Sequence, residues 1–184
     1  MTTWQLIHSD YKKYRKYGGS FIGIVFFTQG FWAIFQYRLA NAVYRKIKWQ
    51  PFRLVFKGLL FLWQKVIELT TGISIPASVQ IGHSFYIGHF GGIFLNQDVI
   101  IGNNCNLSQN VTVGVSGLGE KRGVPIIGDN VYIAANSIVA GKIFIADGAL
   151  IGACSLVTSD VAPQTTVLGV PAQVISQNGS KEYI

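Results

Sequence analysis

A spacing of six governs the middle of this 184-residue chain. Ile75, Ile81 and Ile87 begin the series, Leu95, Ile101, Leu107 and Val113 continue it, and Ile127, Ile133, Val139, Ile145, Ile151 and Val157 complete it. A helix repeats its buried face every 3.6 residues and a strand every two, so a period of six belongs to neither alone. It fits short strands joined by corners, in which the residue four places on also points inward. Val79, Phe85, Val99, Cys105, Val111, Val131, Ser137, Ile143, Ala149, Ser155 and Val161 hold those places and are apolar or small. Three hexads make a coil of about 18 residues, and coils stacked ~4.8 Å apart by parallel backbone bonds bury a column of aliphatic side chains. Gly82, Gly88, Gly102, Gly128 and Gly152 follow the aliphatic residue, where they are expected to let the backbone turn a corner that a side chain would obstruct. The pattern predicts a mainly β solenoid of four to five coils over residues 73–175. A helical region, 1–72, precedes it, and a polar tail, 176–184, is expected to be extended or frayed.

Two interruptions break the period. Between Ile87 and Leu95 the spacing is eight, which inserts two residues in the run Gly88-His89-Phe90-Gly91-Gly92. Between Val113 and Ile127 it is fourteen, which ejects a loop over residues 115–124. A solenoid gains nothing from such loops, and loops on rigid scaffolds carry function disproportionately.

The segments IGHSFYIGHFGGI, NLSQNVTVG, IIGDNVYIAANSIV, LIGACSLVTSDV and GVPAQVI resemble the hexapeptide-repeat acyltransferases. Their order, with one ejected loop, is most similar to the serine acetyltransferase branch over residues 73–175, and GFWAIFQYRLA at 30–40 resembles a helical segment upstream of the solenoid in that branch. The resemblance implies a left-handed parallel β-helix, a homotrimer with active sites between subunits, acetyl-CoA as acyl donor, no metal, and a histidine general base. His89 stands at the position of that base. A neutral imidazole can take the acceptor's proton near pH 7, and Gly88, Gly91 and Gly92 would permit a tight bulge and close approach of substrate. Local sequence alone leaves a solvent-facing loop histidine as the other reading. Gly114, Ala135 and Ala153 match positions where the family leaves a narrow groove for the pantetheine arm, and Lys142, Lys121 and Arg122 could meet nucleotide phosphates. Ordinary small corner residues and solvated charges are the competing readings. Metal binding by the solenoid needs three converging imidazoles, and only His83 and His89 lie within it.

Departures from the serine acetyltransferase pattern bear on the acceptor. The acid that orients the imidazole falls at Ser74, the acid just before the imidazole falls at Gly88, and the amino-acid-holding Arg-His pair of the loop is represented only by Arg122. A bound amino acid needs counter-charges, so the expected acceptor is a sugar hydroxyl, as in a polysaccharide precursor. The alternatives are a serine O-acetyltransferase of cysteine biosynthesis and a non-catalytic solenoid scaffold. Ser74 either orients His89 by a hydrogen bond or is a polar residue on an exposed strand.

Charge is concentrated upstream. Residues 1–70 hold eleven Lys and Arg against Asp10 and Glu68, net plus nine, while the whole chain is plus seven. The same region is aromatic, in FIGIVFFTQGFWAIF at 21–35 and PFRLVFKGLLFLWQKVIEL at 51–69. The first run is short of the roughly 20 residues a spanning helix needs and the second is interrupted by cations. Two readings follow: helices resting peripherally on the cytoplasmic face of a membrane, or helices packed on the solenoid or a neighbouring subunit with their cations solvated. No nucleic-acid-binding motif accompanies the charge. Cys105 and Cys154 suit a reducing cytoplasm, and no small-residue cleavage site follows the charged start of the chain.

Overall fold

Each hexad forms one side of a coil in a three-sided prism. The computed structural model describes residues 1–46 and 50–184; Lys48 of the basic region lies outside them. One face stacks β1 (Ile73–Ser74), β4 (Ile93–Leu95), β7 (Thr112–Gly114), β10 (Ile138–Ala140) and β13 (Leu156–Val157). The second stacks β2 (Gln80–Ile81), β5 (Ile100–Ile101), β8 (Ile126–Ile127) and β11 (Phe144–Ile145). The third stacks β3 (Tyr86–Ile87), β6 (Asn106–Leu107), β9 (Tyr132–Ile133), β12 (Leu150–Ile151), β14 (Thr166–Gly169) and β15 (Ala172–Ser176). Pairing is parallel except where β15 turns back on β14. Register places like over like: Ile81, Ile101, Ile127 and Ile145 form one column, and Ile87, Leu107, Ile133 and Ile151 another. All thirteen hexad aliphatics are buried.

A side chain would obstruct the chain at Gly82, Gly102, Gly128 and Gly152, as expected, but these glycines are not the residues in left-handed conformation. At the corners the residue with positive φ stands two places beyond the glycine: Ser84, Asn104, Asn130 and Cys154 have φ of 55°, 56°, 56° and 58°. Asn tolerates this left-handed conformation better than most residues, and stacked asparagines bond to each other, Asn104 Nδ2 to Asn130 Oδ1 at 2.8 Å and Asn110 Nδ2 to Asn136 Oδ1 at 2.9 Å. The glycines serve closeness instead. A Cβ on Gly82 would sit 2.6 Å from Gly102 O, and one on Gly102 2.6 Å from Gly128 O.

The first coil has no coil before it, so its backbone groups on that side need other partners. Helices α1 (Thr3–Lys16) and α3 (Gln29–Lys46) supply them. Tyr37 Oη donates to Val79 O at 2.8 Å, and Asn41 to Ala77 O and Val79 O. Arg38 donates to Ile81 O and Gly82 O. The Phe85 amide donates to Asp10, and the Tyr14 hydroxyl donates to Ile87 O while accepting from the Ile87 amide. Asp10 and Arg38 are joined at 2.8 Å with both side chains buried. Burial pushes the Asp10 carboxyl above its ordinary range, against the pull of Arg38 and the Phe85 amide.

The apolar run at 21–35 does not form one helix. It breaks at Thr28 into α2 (Phe21–Phe27) and the start of α3. Phe21, Ile22, Phe26 and Phe27 remain exposed on α2. The last helix, α4 (Gln50–Thr71), packs on α3 and leaves Val55, Leu59, Leu62, Val66 and Leu69 exposed. Among the described residues, no helix is long and apolar enough to cross a membrane. Two of the basic residues are neither solvated nor free for lipid: Arg38 holds the first coil, and Lys13 is buried with its Nζ 2.7 Å from Asn104 Oδ1.

The tail also departs from expectation. It folds back along the third face: the Ser180 amide donates to Gly148 O at 2.8 Å, Tyr183 stacks on Tyr132 with ring centroids 5.5 Å apart, and Tyr183 O accepts from Tyr17 and Asn106. A polar segment is held here because its backbone finds an acceptor, Gly148 O, on the solenoid and donors in Asn106 and in Tyr17 at the end of α1.

Candidate active site

The inserted run after β3 forms a bulge pinned on two sides. The Gly91 amide donates to Thr71 O at 2.7 Å at the end of α4, and Gly91 O accepts from the Asn110 amide at 2.9 Å on the next coil. Gly91 and Gly92 have φ of 96° and 62°, and a Cβ on Gly92 would collide with Asn110. The bulge therefore requires glycine and holds its preceding residues away from the wall. His89 and Phe90 project into solvent there. Among the described residues the His89 ring makes no hydrogen bond within its own chain.

Ser74 lies on β1, opposite Phe94 of β4. Its hydroxyl donates to Glu68 Oε1 at 2.8 Å. Glu68, in the last turn of α4, also accepts from Gln64 at 2.9 Å and from Lys65 at 2.6 Å. Partial burial pushes its carboxyl up, but the hydrogen bonds from Lys65, Ser74 and Gln64 outweigh this and hold it below the ordinary glutamate range. Sequence reasoning counted Glu68 only as a charge. Its signal was the Thr71-Gly72 helix stop before Ser74, which brings the last turn back over the strand.

The remaining candidates fall into two groups. Ala135 and Ala153 occupy the corner that leads into the first face, below the His89 bulge, and stack through the Cys154 amide donating to Ala135 O at 2.9 Å. Gly88 sits at the start of the bulge, where its amide donates to Leu107 O at 3.1 Å. Gly114, Lys142 and Arg122 lie at the opposite edge of that face, with the ejected loop. The loop is closed by the Ser116–Gly123 bridge and contains one helical turn, Gly119–Lys121. Between loop and wall is a cavity of about 440 Å³ lined by Ser116, Gly117, Lys121, Gly141, Lys142 and Thr158. Gly114 is open outward: a Cβ there would meet nothing nearer than Thr112 at 3.8 Å. Arg122 is exposed, and Lys142 Nζ lies 3.4 Å from Glu120 O.

His83 is apart from the bulge, its Nδ1 3.1 Å from Ser84 Oγ, and His8 stacks on Tyr11 in α1. Among the described residues no group of three His, Cys, Asp or Glu is placed to hold a metal. Cys105 is buried, and burial pushes its thiol up to about 12, which makes it a packing residue.

The three-faced coil of hexads, together with the relatives below, places the chain among the hexapeptide-repeat acyltransferases. Serine acetyltransferase of Bacillus subtilis (strain 168) is 35% identical over 162 residues, covering 88% of this chain and 71% of that protein. Serine acetyltransferase of Neisseria gonorrhoeae in complex with serine superposes with a TM-score of 0.80 at 29% identity, over 95% of this chain and 69% of that one. A serine acetyltransferase in complex with CoA gives 0.80 at 24% identity, over 95% and 70%, and shares the fold. No protein-family model matches the chain. The chain belongs to the serine acetyltransferase family, and its solenoid is the left-handed β-helix of these structures. It is an acetyl-CoA-dependent O-acetyltransferase, which sets aside the non-catalytic scaffold.

Proposed function

We propose that the chain acetylates the hydroxyl of L-serine, with His89 as general base. The observation that carries this reading is the 35% identity to a serine acetyltransferase across 88% of the chain. The expectation of a sugar acceptor rested on two missing carboxylates and a loop without a histidine beside Arg122, and Glu68, bonded to Ser74 at 2.8 Å, returns one carboxylate to that neighbourhood. His89 accepts the hydroxyl proton as the serine oxygen attacks the thioester carbonyl. The tetrahedral intermediate collapses, the carbon–sulfur bond breaks, and the imidazolium returns the proton to the CoA thiolate. The pantetheine arm fits against Gly114, Ala135 and Ala153, and Lys142, Lys121 and Arg122 face the nucleotide end.

These parts belong to opposite edges of one face, so a single protomer does not gather them. A homotrimer in which the bulge edge of one copy meets the loop edge of the next would complete the site. A second reading, a sugar hydroxyl, is favoured by Gly88 and by a loop that carries Arg122 without a histidine. Thiol release from acetyl-CoA, with L-serine against a panel of sugars, separates the two: faster release with serine supports the first, and release with a sugar alone replaces it.

The apolar outer surfaces of α2 and α4, beside the exposed cations Lys12, Arg15 and Lys65, support peripheral contact with the anionic cytoplasmic face of a membrane. Co-sedimentation with phosphatidylserine vesicles tests it; equal recovery with and without vesicles removes it.

A further inference from the structure

We propose that Glu68 is a positioning residue, acting through Ser74 to hold His89 in the tautomer that can serve as base. The inference rests on the assignment of His89 as base and concerns two further residues, Ser74 and Glu68. A serine hydroxyl has one proton and two lone pairs. The Ser74 proton is committed to Glu68 Oε1 at 2.8 Å, so toward any further partner Ser74 can only accept. An imidazole that meets it must present an N–H. If that is Nδ1–H, the lone pair of Nε2 is left free for the acceptor's proton, and the positive charge that develops on the ring is stabilised by the carboxylate behind the serine.

The backbone brings the two segments together. Residues 91–94 run beside 71–74: the Gly91 amide donates to Thr71 O, the Ile93 amide donates to Gly72 O at 3.1 Å, and Ser74 pairs with Phe94. Gly72 lies against Gly91, where a Cβ would come within 3.1 Å of its Cα. His89 thus hangs from a loop tied to the last turn of α4, the turn that carries Glu68. That placement is electrostatically unfavourable for the helix, because an acid near a helix C-terminus opposes the macrodipole. Three donors nonetheless hold the carboxylate in its charged form. A carboxylate, a hydroxyl and an imidazole in series keep the order of charge found in a hydrolase triad, with a hydroxyl inserted before the ring.

The test uses the full chain with Glu68→Gln, Ser74→Ala and the double variant Glu68→Gln/Ser74→Asp. In the wild type, ¹⁵N NMR of the His89 ring, assigned by its loss in His89→Ala, should report Nδ1–H; in Glu68→Gln it should report a tautomer mixture, with His8 and His83 unmoved. Thiol release should fall about tenfold in kcat for Glu68→Gln and Ser74→Ala with KM for acetyl-CoA unchanged, and the acid limb of kcat/KM should move to lower pH by about one unit. The double variant, with a carboxylate in direct reach, should restore both. An unchanged tautomer in Glu68→Gln overturns the proposal. So does a loss of rate that the double variant fails to recover while the thermal midpoint drops, which marks a structural role. His89→Ala reports separately on the base assignment, whichever way Glu68 falls.

Discussion

In the solenoid, every coil finds its backbone partners in the next coil, and the side chains that matter repeat: Ile81, Ile101, Ile127 and Ile145 are one residue type in one column. At the first coil the same need is met by unlike groups, a tyrosine, an asparagine, an arginine and an aspartate from α1 and α3, aimed at particular carbonyls and an amide, with Tyr37 and Asn41 sharing Val79 O. The stack distributes stability over many equivalent apolar contacts, whereas the helical cap concentrates it in a few buried polar ones. Loss of one aliphatic should leave a local cavity. Loss of one capping group leaves its partner buried and unpaired, the more damaging event of the two.

The sharpest way to break this contrast is Asp10→Ala, which strands Arg38 in a buried site. It should destabilise by about 3–5 kcal/mol, read by chemical denaturation, and an effect no larger than that of a surface substitution would erase the distinction. Ile133→Ala, in the middle of the stack, should cost about 2–5 kcal/mol through transfer and cavity terms. Its neighbours in the column should keep their protection in hydrogen exchange.

Lys13 sharpens the comparison through pH. Burial lowers its pKa from 10.5 to about 8, so the unfolded chain holds that proton more tightly than the fold does. The fold therefore bears the full penalty below pH 8 and regains stability as pH rises from about 8 towards 10.5. Lys13→Met should remove a pH-dependent difference on the order of 1 kcal/mol between pH 8 and 9, seen as a flatter profile of unfolding free energy over that interval. Smallest of all, Leu62→Gln on the exposed face of α4 should change protomer stability by less than about 0.5 kcal/mol. A larger loss, dependent on protein concentration, would show that this face is covered by another copy.

The same contrast explains what could be read from sequence. Period six was legible because each coil repeats the same geometric demand, and all thirteen aliphatics of the series are buried. The two breaks in period pointed to the bulge and the loop because an insertion disturbs a strict repeat. The glycines were legible as places a side chain would obstruct, and Gly82 and Gly102 are required by close stacking of coils, but the left-handed corner residues two places on, such as Asn104 and Asn130, left no comparable trace. The capping groups, the docked tail and Glu68 left no periodic trace. Asp10 and Phe85 are 75 residues apart in sequence, and nothing in either local segment announces the bond between them.

The central claim is that the imidazole raised on the Gly88–Gly92 bulge takes the acceptor's proton during acetyl transfer. The most direct measurement is the rate of thiol release from acetyl-CoA in the presence of saturating acceptor, for the wild type and for His89→Asn, with the thermal midpoint recorded for both. The account predicts a fall of about 10²–10⁴ in kcat with the midpoint unchanged; a variant within twofold of the wild type would contradict it.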